Sequence, residues 1–108
     1  MNEVYKFLKE KQSCGMLELV WSSKGAATYR TWVDSGGEGP AAEDTLINIR
    51  IQASPHVVQT VVMPGLRQQL GDKIHTVIAA PPPEDCVADD MDMFFTIVVS
   101  FKEGPVEL

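Results

Sequence analysis

The chain has 108 residues, 44% hydrophobic and 22% charged, with 9 Lys and Arg against 15 Asp and Glu for a formal charge of −6. That length predicts a single domain, and the composition is that of a folded globular chain and not a disordered one. The basic residues are scattered, with no cluster of the kind that neutralises phosphates, which argues against nucleic acid and against anionic membranes as partners.

Cys14 and Cys86 are the only cysteines and belong to no CxxC pair, so no disulfide framework is expected. The first eleven residues, MNEVYKFLKEK, interleave charge where a secretory signal needs a continuous apolar stretch. No run reaches the length of a membrane span. The expectation is a reduced, soluble, cytoplasmic protein.

In chain order, Val4, Tyr5, Phe7 and Leu8 form an apolar stripe that predicts a short amphipathic helix over residues 2–12, with Asn2 as N-cap and Gly15 beyond its last turn. Residues 16–22 alternate, with Leu17, Leu19 and Trp21 on one face. Ser23-Lys24-Gly25 reads as a turn, and residues 27–33 as the second strand of a hairpin. Residues 34–45 contain no core-forming side chain and read as a loop.

Residues 46–52 show the clearest strand, with Ile47, Ile49 and Ile51 inward and Asn48, Arg50 and Gln52 outward. Ser54-Pro55 marks a helix start. Val57, Val58, Val61, Val62, Leu66 and Leu70 continue it in a helical stripe, and Gly71 closes it. Pro64-Gly65 predicts that this helix is broken. Residues 74–80 form another strand, ended by Pro81-Pro82-Pro83.

Residues 94–102 form the last strand, with Phe95, Ile97, Val99 and Phe101 on one face and Thr96, Val98 and Ser100 on the other. So apolar a strand belongs at the centre of a sheet or across a subunit interface. The expected fold is a two-layer α+β domain of order αβββαββ. Its five-stranded sheet is mixed and mainly antiparallel, with both helices on one face.

The residues that could carry chemistry are few. His56 and His75 are the only histidines, and no catalytic constellation surrounds either, so no catalytic residue is assigned. Cys86 follows Glu84 and Asp85, whose charges disfavour a thiolate. Glu84, Asp85, Asp89, Asp90 and Asp92 make an acidic loop without the spacing of a calcium loop, so it reads as a solvated negative patch suited to a basic protein partner, not as a metal site. Gly36-Gly37-Glu38-Gly39 lacks the lysine of a phosphate-binding loop and stands among acidic residues. Tyr29, Arg30 and Trp32, with His75, are the candidates for a small-molecule site.

The composition therefore favours a small acidic interaction protein without catalytic activity or cofactor, engaging a protein partner. The alternative is a small-molecule module with a cleft between the sheet and the second helix, and a histidine-dependent enzyme ranks third. The apolar last strand and the two-faced hairpin also suggest a homodimer.

Overall fold

In the computed structural model, which describes residues 3–24, 30, 32–34, 36–37, 45–86, 88 and 90–106, the first apolar stripe forms helix α1 (Glu3–Ser13) and buries Val4 and Leu8. The expected cap Asn2 lies outside the described residues. The helix stops because Gly15 takes a φ of +76°, which only glycine adopts readily. Its N–H then reaches the Gln12 carbonyl at 2.9 Å, and the Met16 N–H reaches the Lys11 carbonyl at 3.0 Å. The Gln12 side chain also accepts the Leu19 N–H at 2.7 Å, tying the helix to the strand that follows.

That strand, β1 (Glu18–Lys24), pairs antiparallel with β2 (Leu46–Ala53). The ladder matches Leu19 with Ile51 and Trp21 with Arg50, leaving Val20 as an extra residue in a bulge. An inserted residue reverses the alternation beyond it. Trp21 therefore does not share the face of Leu17 and Leu19, as strict alternation predicts, but points to the opposite side of the sheet.

The expected second strand of the hairpin is not present among the described residues. Arg30 and Trp32–Asp34 have helical backbone, and residues 25–29 and 31 lie outside the described residues. The reason is tertiary: the Trp32 indole is buried against Leu46 and Val98, with half-buried Ile78 beside it. Burial of that ring outweighs a strand preference worth only about 1 kcal/mol.

Ser54 caps the next helix as expected, its hydroxyl accepting the Val57 N–H at 3.2 Å with Pro55 in the first turn. This helix, α2, runs over residues 55–70 without a break, contrary to expectation. Pro64 lacks the N–H that would bond the Thr60 carbonyl, and its ring crowds that carbonyl in an ordinary α turn. The chain answers by widening into a π turn at Val58–Val62, where the Met63 N–H bonds the Val58 carbonyl, before α geometry resumes at Met63–Leu70. Gly71, with φ +50°, ends the run, and a short 3-10 turn, Gly71–Lys73, feeds β3 (Ile74–Ala80). Gly65 lets the two helices approach: a Cβ there would meet the Phe7 ring of α1.

The last strand, β4 (Met93–Phe101), lies inside the sheet between β2 and β3, as its apolar faces require. The order is β1-β2-β4-β3, and every neighbouring pair is antiparallel. The sheet is thus four-stranded and antiparallel, where five strands in a mixed sheet were expected. β2 and β3 do run parallel, but β4 separates them, so the α2 connection skips a strand. Ile47, Ile49 and Ile51 stand opposite Val99, Ile97 and Phe95 and form the core against both helices. Full burial of each such side chain contributes about 1.5–3 kcal/mol. The result is one α+β domain, with α1 and α2 on one face of the sheet.

Candidate functional site

The sheet face opposite α1 and α2 is incompletely covered. The ladders put its residues in rows: Glu18, Gln52 and Phe94; then Trp21, Arg50, Thr96 and Ala80; then Ser23, Asn48, Val98 and Ile78. Trp32 covers the end of this face that holds Leu46, Val98 and Ile78. Gly37 folds over the indole so closely that a Cβ would collide with it, and its N–H donates to the Trp32 carbonyl at 2.8 Å. Beside this lid Asn48 is buried, and its Oδ1 has no hydrogen-bond partner among the described residues.

The other end of the same face is open. Trp21 and Phe94 are 45% and 47% exposed, and Arg50 extends between them with its guanidinium 5.1 Å from the Phe94 ring centre. A planar cation over an aromatic face is attracted by the ring quadrupole, at about 0.5–1 kcal/mol where solvent reaches it. Among the described residues no carboxylate pairs with Arg50. Met91, 65% exposed, precedes β4 at the Phe94 end, and exposed Glu18, Asp90 and Asp92 stand at the same end.

A second concavity lies on the helix side of the β3 edge. An open groove of about 430 Å³ is walled by Gln59, Met63 and Arg67 of α2, by Val77–Ala79, and by the turn at Pro82–Glu84. This groove lies between α2 and β3, and its lining is not the one expected of a cleft between the sheet and the second helix. Arg30 is exposed, Trp32 is buried on the far face, and Tyr29 lies outside the described residues. His75 is exposed at a register irregularity at the start of β3. The structure does not bring Arg30, Trp32 and His75 into this groove.

Of the acidic group, Glu84 and Asp85 sit in the 3-10 turn Pro83–Asp85, Asp90 and Asp92 are exposed before β4, and Asp89 lies outside the described residues. No three acidic, histidine or cysteine side chains gather into a metal-holding cluster among the described residues. The histidines stand apart, His56 in the first turn of α2 and His75 beyond its last. Cys86 is half-buried with its thiol 3.5 Å from the Pro82 carbonyl, whereas Cys14 is exposed.

Arg50, Phe94 and Arg67 were not singled out by sequence reasoning. For Phe94 a signal existed, since its parity is opposite to that of Phe95, Ile97 and Val99. Arg50 likewise points outward from a strand of perfect alternation. Among the described residues no helix is long and apolar enough to cross a membrane. No family model matches the chain, and neither the curated proteins nor the solved structures hold a match to it.

Proposed function

We propose that this chain is a protein-binding module that engages its partner through the open half of the sheet face opposite α1 and α2, with Trp21 and Phe94 as anchors and Arg50 between them. The observation that carries the reading is the pair of half-exposed aromatics flanking an arginine that has no ion-pair partner among the described residues. Tryptophan and arginine dominate the few residues that hold most of the energy of protein interfaces, and aromatic side chains are enriched there. Glu18, Asp90 and Asp92 give this patch an acidic border, and the chain carries a formal charge of −6, so a basic partner surface is favoured. Two free thiols suit a reduced compartment, which keeps the cytoplasm as the inferred location.

The test is capture from lysate on immobilised protein, compared with capture on Trp21→Ala/Phe94→Ala. A specific partner should bind the natural chain, elute with salt because opposite charges are screened, and be lost from the double variant while its far-UV circular dichroism is unchanged. Equal capture by both proteins overturns the assignment.

A second reading rests on the groove beside β3, whose volume falls within the range of about 300–1,000 Å³ typical of small-molecule sites. A metabolite at about 100 times its dissociation constant adds about 2.7 kcal/mol of stability, a shift of about 10 °C or more in Tm at this chain length. A stabilising ligand whose effect is lost in Met63→Ala supports this reading, and a flat panel of metabolites and nucleotides removes it.

A further inference from the structure

The two edges of the sheet are finished differently. β1 carries a bulge at Val20 and an exposed glutamate at its start, both of which discourage pairing with another strand. β3 has an irregularity only at its beginning, between Ile74 and Thr76. From Thr76 to Ala80 the ladder is regular, and the segment holds no charge, glycine or proline. β3 pairs on one side with β4 and on the other with nothing among the described residues. A regular, uncharged edge with unpaired backbone donors and acceptors is a template for one more strand.

The walls of the adjoining groove indicate which strand. Arg67 stands on α2 near its C-terminal end, and that end leads through Gly71–Lys73 directly into the start of β3. Glu84 stands in the turn that follows the end of β3. A cation therefore flanks the beginning of the edge and an anion flanks its end. Both side chains are exposed, and neither has an ion-pair partner among the described residues. When two strands pair antiparallel about a two-fold axis, the beginning of each lies beside the end of the other. A second copy of this chain would thus present its Glu84 to Arg67 and its Arg67 to Glu84, satisfying both charges twice.

We propose that two copies associate through their β3 edges, antiparallel and centred on Ile78, into a continuous eight-stranded sheet, with Arg67 of each facing the partner subunit's Glu84. Around that axis Val77 opposes the partner's Ala79, and Thr76 opposes the partner's Ala80. The seam is uncharged although each chain is strongly acidic, so the repulsion between the copies is not concentrated at the contact. This goes beyond the reading of the Trp21 face, which lies elsewhere on the sheet. It competes with a small molecule in the groove, which the added strand would overlie.

The test is sedimentation equilibrium of the natural chain, Arg67→Glu, Glu84→Arg, the double exchange R67E/E84R, and Thr76→Lys, each checked for unchanged far-UV circular dichroism. The natural chain should sediment at twice its 11.9 kDa mass at high concentration. Either single reversal puts two like charges face to face at both ends of the seam and should raise the dimer Kd about tenfold or more, as should a lysine on the edge itself. The double exchange should restore the natural Kd to within about threefold, since it recreates both pairs in reverse. A natural chain that remains monomeric at about 100 µM, where even a weak dimer of micromolar Kd is populated, overturns the proposal. So does a dimer that Thr76→Lys leaves intact, or a double exchange that fails to recover.

Discussion

Gly65→Ala isolates the contact that sets how closely the two helices pack. In an exposed helix interior this change stabilises by about 1 kcal/mol, because alanine loses less backbone entropy on folding. Here the new methyl would run into the Phe7 ring edge at Cζ and stand 2.9 Å from Cε2, well inside the optimal carbon separation of about 3.5–4.0 Å. The ring cannot simply swing free, since it packs against the main core and carries the Lys11 ammonium 5.2 Å from its centre. Forcing a methyl into such a site costs about 1–3 kcal/mol, so the net effect should be a loss of about 1 kcal/mol. In a Phe7→Ala background the obstruction is gone and the same Gly65→Ala change should stabilise by up to about 1 kcal/mol. Urea unfolding of the four proteins gives a coupling energy of about 2 kcal/mol if this account holds. The same sign for Gly65→Ala in both backgrounds would refute it.

Two further perturbations test other parts of the fold. Asn48→Val removes a buried amide oxygen that has no partner among the described residues, in a row between Ser23 and Val98. It should raise stability by about 1–3 kcal/mol in thermal unfolding, and a loss of stability would show that the oxygen is hydrogen-bonded. Ser54→Ala deletes the hydroxyl that accepts the Val57 N–H and should lower stability by about 1 kcal/mol in denaturant unfolding, whereas no change would mean that water satisfies that donor equally well.

Strict periodicity was the part of the fold most legible in the sequence. Ile47, Ile49 and Ile51 alternate with polar neighbours, and the strand they imply is present with only one residue's difference at its end. The Ser54-Pro55 cap, the Gly71 stop and the central placement of the last strand were also readable, because each follows from local chemistry or from a simple burial argument. The failures come from single-residue insertions and from tertiary burial. A bulge at Val20 turns Trp21 over without leaving any mark in composition. The π turn at Val58–Val62 absorbs Pro64 by adding one residue to a turn, which a stripe of valines does not reveal. Trp32 reads as a strand residue until Leu46, Val98 and Ile78 are brought under it. Strand order was not readable at all, so neither the open end of the face nor the bare edge of β3 could be located.

The two surfaces proposed for partners follow from one asymmetry. α1 and α2 cover the same face, and among the described residues Trp32 covers only part of the other. The β2-α2-β3 connection skips β4, which buries the most apolar strand but pushes uncharged β3 to the rim. A face and an edge of one sheet point in perpendicular directions, so occupying one does not obstruct the other. A dimer joined along β3 would carry two copies of the Trp21, Arg50 and Phe94 patch, one at each end of an eight-stranded sheet. Linked sites raise the effective local concentration for a partner with two matching surfaces. Affinity for such a partner should then depend on the β3 seam even though no seam residue touches it. Thr76→Lys should weaken capture of a bivalent partner while leaving a monovalent one unaffected, and loss of both together would mean that the edge and the face form one surface.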